Sequence, residues 1–206
     1  VRHLVRYSTL IVKEKKKDDE IRTLKYVDDR LLSTPSIALM QVKKEMDYML
    51  ALVEENTQLA FVAMDTGSGK HDKKIRENEE IIDFTNSALT QFLIKLSVNM
   101  PESDENIIGA YFHVLNDLER IGDHAENFHE IGLEMINKNI SFSPQALDGI
   151  VYMREFVMKM FAISAETFET LHKDKLSDLT KLEEKVDELK KKLISGHFAR
   201  LAEGNC

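Results

Sequence analysis

The apolar residues of this chain recur every three or four positions over long stretches, the period of an amphipathic helix. In "STPSIALMQVKKEMDYMLALVEENTQLAFVAMDTGSGK", Thr34 stands as an N-cap and Pro35 at the first helical position. Leu39, Val42, Met46, Met49, Val53, Ala60 and Met64 mark one face, and "GSG" at 67–69 ends the element. A second helix runs from Lys70 with Ile75, Ile82, Leu89, Phe92, Ile94 and Leu96 among its apolar positions, and stops near Met100 and Pro101. A third begins around Ser103 or Asp104 and continues through Tyr111, Leu115, Leu118, Gly122, Ala125 and Gly132 to about Asn137. Its small residues at 122, 125 and 132 allow another helix to approach closely.

Ser143 and Pro144 repeat the cap-then-proline start for a fourth helix, lined on one side by Ile150, Met153, Val157, Phe161 and Phe168. After a short "KDKLSD" loop, Leu179, Leu182, Val186, Leu189 and Leu193 carry a fifth. Long helices joined by short loops predict an all-α antiparallel bundle. "ENEEIIDF" in the second helix and "KLEEKVDEL" in the fifth share a Glu-Glu-x-x-Asp pattern, placing Glu79 against Glu183 and Asp83 against Asp187 at one common separation. The chain therefore reads as two tandem three-helix bundles, the second without its last helix. The expected division is a lead segment over 1–33, a first bundle over 34–138 and an incomplete second bundle over 139–206.

Composition sharpens this picture. Eight glycines, three prolines and no tryptophan among 206 residues leave few turn signals, which disfavours a β-rich fold. A formal net charge of −8, with no Lys/Arg stripe interleaved with aromatics, argues against nucleic acid as a partner. The single cysteine, Cys206, excludes a disulfide framework and a CxxC metal site and fits a reducing compartment, so cytoplasm is expected. "VRHLVRYSTLIV" is too short and interrupted to span a bilayer. Yet Arg2, Arg6, Lys13, Lys15, Lys16 and Lys17 face only Glu14, a local basic excess that suits either the inner face of a membrane or a solvated tail.

The candidate chemistry is carboxylate. On the third helix Asn116, Glu119, Asp123, Glu126 and Glu130 fall in one polar row, and on the second Glu79 and Asp83 sit one turn apart with no Lys or Arg at the following three or four positions. Like charges at this spacing each cost on the order of 0.2–0.5 kcal/mol, which a solvated face tolerates. Facing each other across a bundle, the two rows would instead surround a cation, and oxygen donors suit Mg²⁺, Ca²⁺, Mn²⁺ or iron better than a structural zinc. His113 or His124 nearby would widen that choice.

Glu183 and Asp187 form a weaker pair, because Lys190 and Lys191 supply ordinary helix-surface counter-charges. Glu126-x-x-His129 and Glu169-x-x-His172 repeat the pattern of di-iron carboxylate bundles, an oxidase reading. Against it, Glu169 and His172 fall at a helix end, and His129 beside the apolar face fits a packed core histidine. "GSGK" at 67–70 lacks the first glycine and preceding strand of a phosphate loop and reads as a turn.

"LERIGDHAENFHEI" resembles the signature of the PhoU family of phosphate-signalling proteins, and the likeness extends from Thr34 to Cys206. The resemblance implies tandem three-helix bundles and multinuclear metal clusters, usually iron or zinc, with magnesium or manganese as alternatives. It implies metal ligation by Glu79, Asp83, Glu119 and Asp123, with Glu126 beside them and Glu183 and Asp187 in the second copy. The sixth helix that should complete the second cluster is missing, so a partner molecule would supply it, or the apolar surface of the last two helices would drive homo-oligomerisation. "LKYVDDRLLSTPSIALMQVKKEM" is similar to the segment that joins the membrane part of bacterial sodium-phosphate cotransporter-like proteins to their cytoplasmic PhoU-like domain. The expectation is a non-enzymatic regulator of phosphate uptake, tethered at the inner face of the membrane to the transporter portion of its own chain. A free PhoU-type regulator acting on a phosphate transporter is the alternative.

Overall fold

The structure of the protein, a computed structural model, describes residues 22–66, 68–98, 100 and 105–204. The basic stretch at 1–17, the predicted helix start at Ser103 or Asp104, and Cys206 lie outside the described residues. Five long helices follow in order: α1 (Pro35–Thr66), α2 (Asp72–Ser97), α3 (Glu105–Lys138), α4 (Pro144–Thr170) and α5 (Leu176–Ala202). Short 3-10 turns over Asp29–Ser33 and Gly69–His71 precede α1 and α2, and no strand occurs among the described residues.

The core lies between α1, α2 and α3, which pack on one another, α1 most extensively against α3. From α1 it takes Val42, Met46, Met49 and Val53, at the predicted spacing. At the ends of α1 the buried stripe passes through Ala38 and Ala63 rather than the predicted Leu39 and Met64, one position away. Gly132 is buried against the backbone of Ala63 and Met64, where a side chain on α3 would meet Met64 N at 3.5 Å. Small residues thus line the contact of α1 and α3. On α2 the stripe runs through Ile75, Ile82, Leu89, Leu93 and Leu96, whereas Ile94 is 55% exposed. Leu89, Leu93 and Leu96 keep the three-and-four rhythm, and Ile94 falls about 100° off it.

The α4–α5 hairpin is differently built. Ser143 caps α4, accepting from Ala146 N, and Pro144 takes the first helical position as its sequence predicts. Leu171 closes α4 in the left-handed conformation with φ of 60°. Gly149 receives Leu193 so closely that a Cβ there would fall 2.2 Å from Leu193 Cδ2. Yet neither helix contains a fully buried residue, and α4 meets the first three helices through partly buried side chains such as Phe161 and Phe168, which pack against their core. Two helices cannot enclose a core, so Phe198, Ile194, Tyr152 and Leu201 remain exposed. No helix among the described residues is long and apolar enough to cross a membrane.

Candidate metal centre

The centre is built where α2 faces α3. Glu79 and Asp83 are one turn apart on α2, so both project toward the α3 row that carries Glu119 and Asp123. Ligand oxygens of Glu79, Asp83 and Asp123 all lie within 4.8 Å of one another. That span suits oxygens on opposite sides of one hard cation, each at about 2.0–2.5 Å. Glu79 forms the floor, 6% exposed, while Asp83 and Asp123 stand at the solvent side.

Glu79 is the unusual member. Both of its carboxylate oxygens are buried without a hydrogen-bond partner, a costly state for a charged group. Burial first, then the charges of Asp83, Glu126 and Asp123, push its pKa up to about 7; the nearby Asn56 amide opposes this only weakly. Burial and Asp123 raise Asp83 as well. Glu119 is raised by burial, then by Asp123 and Asp83, with Arg120 acting the other way. Three acids shifted upward around one another make a site that lacks positive charge.

Gly122 explains how a carboxylate fits between two helices. A Cβ at that position would stand 3.2 Å from Glu79 Oε2 and 3.4 Å from both Glu79 Oε1 and Ile82 Cγ2. The glycine of "RIGDH" thus provides clearance for Glu79, a finer role than helix approach alone. Orphaned buried oxygens, close carboxylates and this cradle together fit a hard, oxygen-coordinated cation. Gly122→Ala is expected to turn the Glu79 carboxylate away and to weaken divalent-cation binding about tenfold with helicity unchanged. Isothermal titration calorimetry and circular dichroism on the same sample check this.

The remaining predicted residues sit apart from this triad. Glu126 lies near enough to act on Glu79 but has its own counter-charge, Arg76 Nη1 at 3.8 Å. Glu183 and Asp187 are exposed on α5, and among the described residues they join no group of three or more ligand-type side chains. His113 and His124 are exposed on α3. His129 is fully buried, with Nε2 3.1 Å from Asp72 Oδ1, a contact that is the first cause of Asp72's lowered pKa. Glu169 is exposed near the end of α4 and His172 lies beyond it; no described group of three or more ligands includes a histidine. The two Glu-x-x-His pairs do not form the cluster that the oxidase reading needs.

A buried amide ladder beside the centre was not anticipated. Asn78 donates to Asn56 Oδ1 at 2.9 Å and to Glu55 Oε2 at 2.8 Å, and Asn56 donates to the Ile75 carbonyl at 3.1 Å. It ties α2 to α1 at the residue before Glu79. Its trace in the sequence is two asparagines inside long helical runs, residues that open helices more readily than they fill them.

Comparison with known proteins adds a class to this geometry. Residues 46–131 match the family model described as PhoU domain, a span that contains Glu79, Asp83, Glu119 and Asp123. The chain is also 27% identical over 169 residues to a phosphate-specific transport system accessory protein PhoU homolog 1 of Thermotoga maritima. That alignment covers 81% of this chain and 72% of the relative. The two matches, with the all-α bundle, support the PhoU family. No solved structure gives a significant match.

Proposed function

We propose that this chain is a PhoU-type regulatory domain that tunes phosphate uptake through a cation held by Glu79, Asp83 and Asp123. One observation carries the reading: the close-set carboxylate triad lies wholly inside the segment matching the PhoU domain. The relative from Thermotoga maritima, by its printed name an accessory protein of phosphate-specific transport, supports phosphate uptake as the process.

In this account a cation held there would supply positive charge that offsets the three acids and would attract an anion such as phosphate. The chain's own residues do the rest. Glu79 anchors from the floor, Asp83 and Asp123 close the solvent side, and Gly122 keeps space for the Glu79 carboxylate. Glu119, near enough for Asp123 and Asp83 to act on its carboxyl, is a further ligand in this reading. Iron and zinc are the family's usual metals; the oxygen-only donor set favours iron, manganese or magnesium over zinc. The domain binds and relays and performs no catalysis.

We place the domain at the cytoplasmic face of a bacterial sodium-phosphate cotransporter, joined to it through the lead segment at 1–33, with a first bundle at 34–138 and an incomplete second bundle at 139–206. The similarity of "LKYVDDRLLSTPSIALMQVKKEM" to the joining segment of such proteins supports this context. A free accessory regulator is the second reading, favoured by the name of the relative. Asp83→Asn with Asp123→Asn in the native host is expected to change radiolabelled phosphate uptake at least threefold, with the protein present at normal abundance. Uptake equal to wild type would refute the regulatory role of the site.

A further inference from the structure

Residues 22–33 form a strap laid across the first bundle, and its contacts are spread along its length. Arg22 Nη1 donates to the Glu80 main-chain carbonyl at 2.6 Å while Nη2 pairs with the Glu80 carboxylate. Lys25 Nζ stands 3.2 Å over the Tyr48 ring, and Tyr26 N donates to the buried Glu45 carboxylate at 2.7 Å. Lys95 Nζ donates to Asp29 at 2.8 Å. The strap thus grips α1 at Glu45 and Tyr48 and α2 at Glu80 and Lys95.

Glu80 directly follows Glu79, the floor of the carboxylate centre. We propose that strap docking and cation binding are coupled, with Arg22 as the positioning residue that fixes the turn of α2 carrying Glu79. The inference rests on the metal reading above and names a regulation of that same site. Repulsion among Glu79, Asp83 and Asp123 works to part α2 from α3, whereas a cation draws their oxygens together. The docked strap holds the same turn of α2 against α1. Both events favour one placement of the Glu79 turn, so each strengthens the other by the same factor.

The cation's charge acts on Arg22 in the opposite direction. That effect is the smaller one, since the Glu80 carboxylate neutralises the guanidinium directly and further surface charge is screened by salt. Val27 is buried in the core and Leu24, Leu31 and Leu32 pack against it, but the rest of the strap is exposed, so the strap opens locally more easily than the bundle unfolds. A segment poised in this way reports on the centre, and a pull on the strap is felt there.

The test uses the whole 206-residue chain and Mn²⁺ as the probe. Hydrogen exchange of residues 23–33 is expected to slow about fivefold when Mn²⁺ saturates the protein, and Arg22→Ala to weaken the Mn²⁺ Kd about fivefold while abolishing that protection. Arg22→Lys, which keeps the charge without the two-pronged grip, behaves like Arg22→Ala. If Arg22→Ala loses helicity, Asp29→Ala, which frees the Lys95 end, carries the same expectation. Mn²⁺ bound with unchanged strap exchange, or variants that bind Mn²⁺ with wild-type Kd, overturn the coupling and leave the centre standing. A purely structural Arg22 gives that second pattern, with strap exchange raised equally with and without Mn²⁺. A wild-type chain that binds no Mn²⁺ overturns the centre and the coupling together.

Discussion

Glu79→Gln is expected to stabilise the metal-free protein at pH 8 by up to about 3 kcal/mol, although it removes the buried carboxylate of the proposed centre. The wild-type carboxyl has a folded pKa of about 7 against an ordinary value of 4.5, so ionising it costs more in the native state than in the unfolded chain. Between those values the native protein keeps a proton that the unfolded chain has released. Stability contributed by this group is therefore complete below pH 4.5 and is lost as pH rises through about 7. A glutamine cannot ionise, and its variant lacks that decline. Urea denaturation in EDTA at pH 5, 6, 7 and 8 checks the difference; parallel pH curves for the two proteins would show that Glu79 ionises freely. Added Mn²⁺ reverses the ranking, raising the wild type's midpoint and leaving the variant's in place.

Leu115→Ala is expected to cost about 2–5 kcal/mol, while Leu189→Ala costs under about 1 kcal/mol. Leu115 is fully buried on α3 in the core shared by α1, α2 and α3, so truncation leaves a cavity that packed helices cannot collapse. Leu189 on α5 is only partly buried in a hairpin without a fully buried residue, and its surroundings can close up or admit water. Thermal midpoints of the two variants give the comparison, and equal losses would mean that the hairpin is packed as tightly as the first bundle.

The helices were legible because long amphipathic periods and proline-led starts are local signals. Thr34-Pro35 and Ser143-Pro144 mark starts that the backbone adopts within a residue. The phase within a helix was less legible where apolar residues run together. In "QFLIKL" three apolar neighbours stand in a row, and the structure buries Phe92 and Leu93 while leaving Ile94 exposed.

At the site, one-turn spacing puts Glu79, Asp83 and Asp123 on helix surfaces where the structure brings their oxygens within 4.8 Å of one another, but cannot tell these acids from acids with counter-charges. Arg76 reaches Glu126 from another helix, a pairing that spacing along α3 cannot show. The burial of both Glu79 oxygens is likewise a property of the α2–α3 contact and of the missing side chain at Gly122. Arg22 was hidden for the same reason, since its partner Glu80 lies 58 residues away.

The most direct test is metal content. The wild-type chain and Asp83→Asn with Asp123→Asn, dialysed against excess Mn²⁺ or Fe²⁺ and then desalted, are analysed by plasma mass spectrometry. The account predicts at least one ion per wild-type chain and less than about a tenth of that in the variant, with equal helicity. Equal metal in both proteins, or none in the wild type, would contradict it.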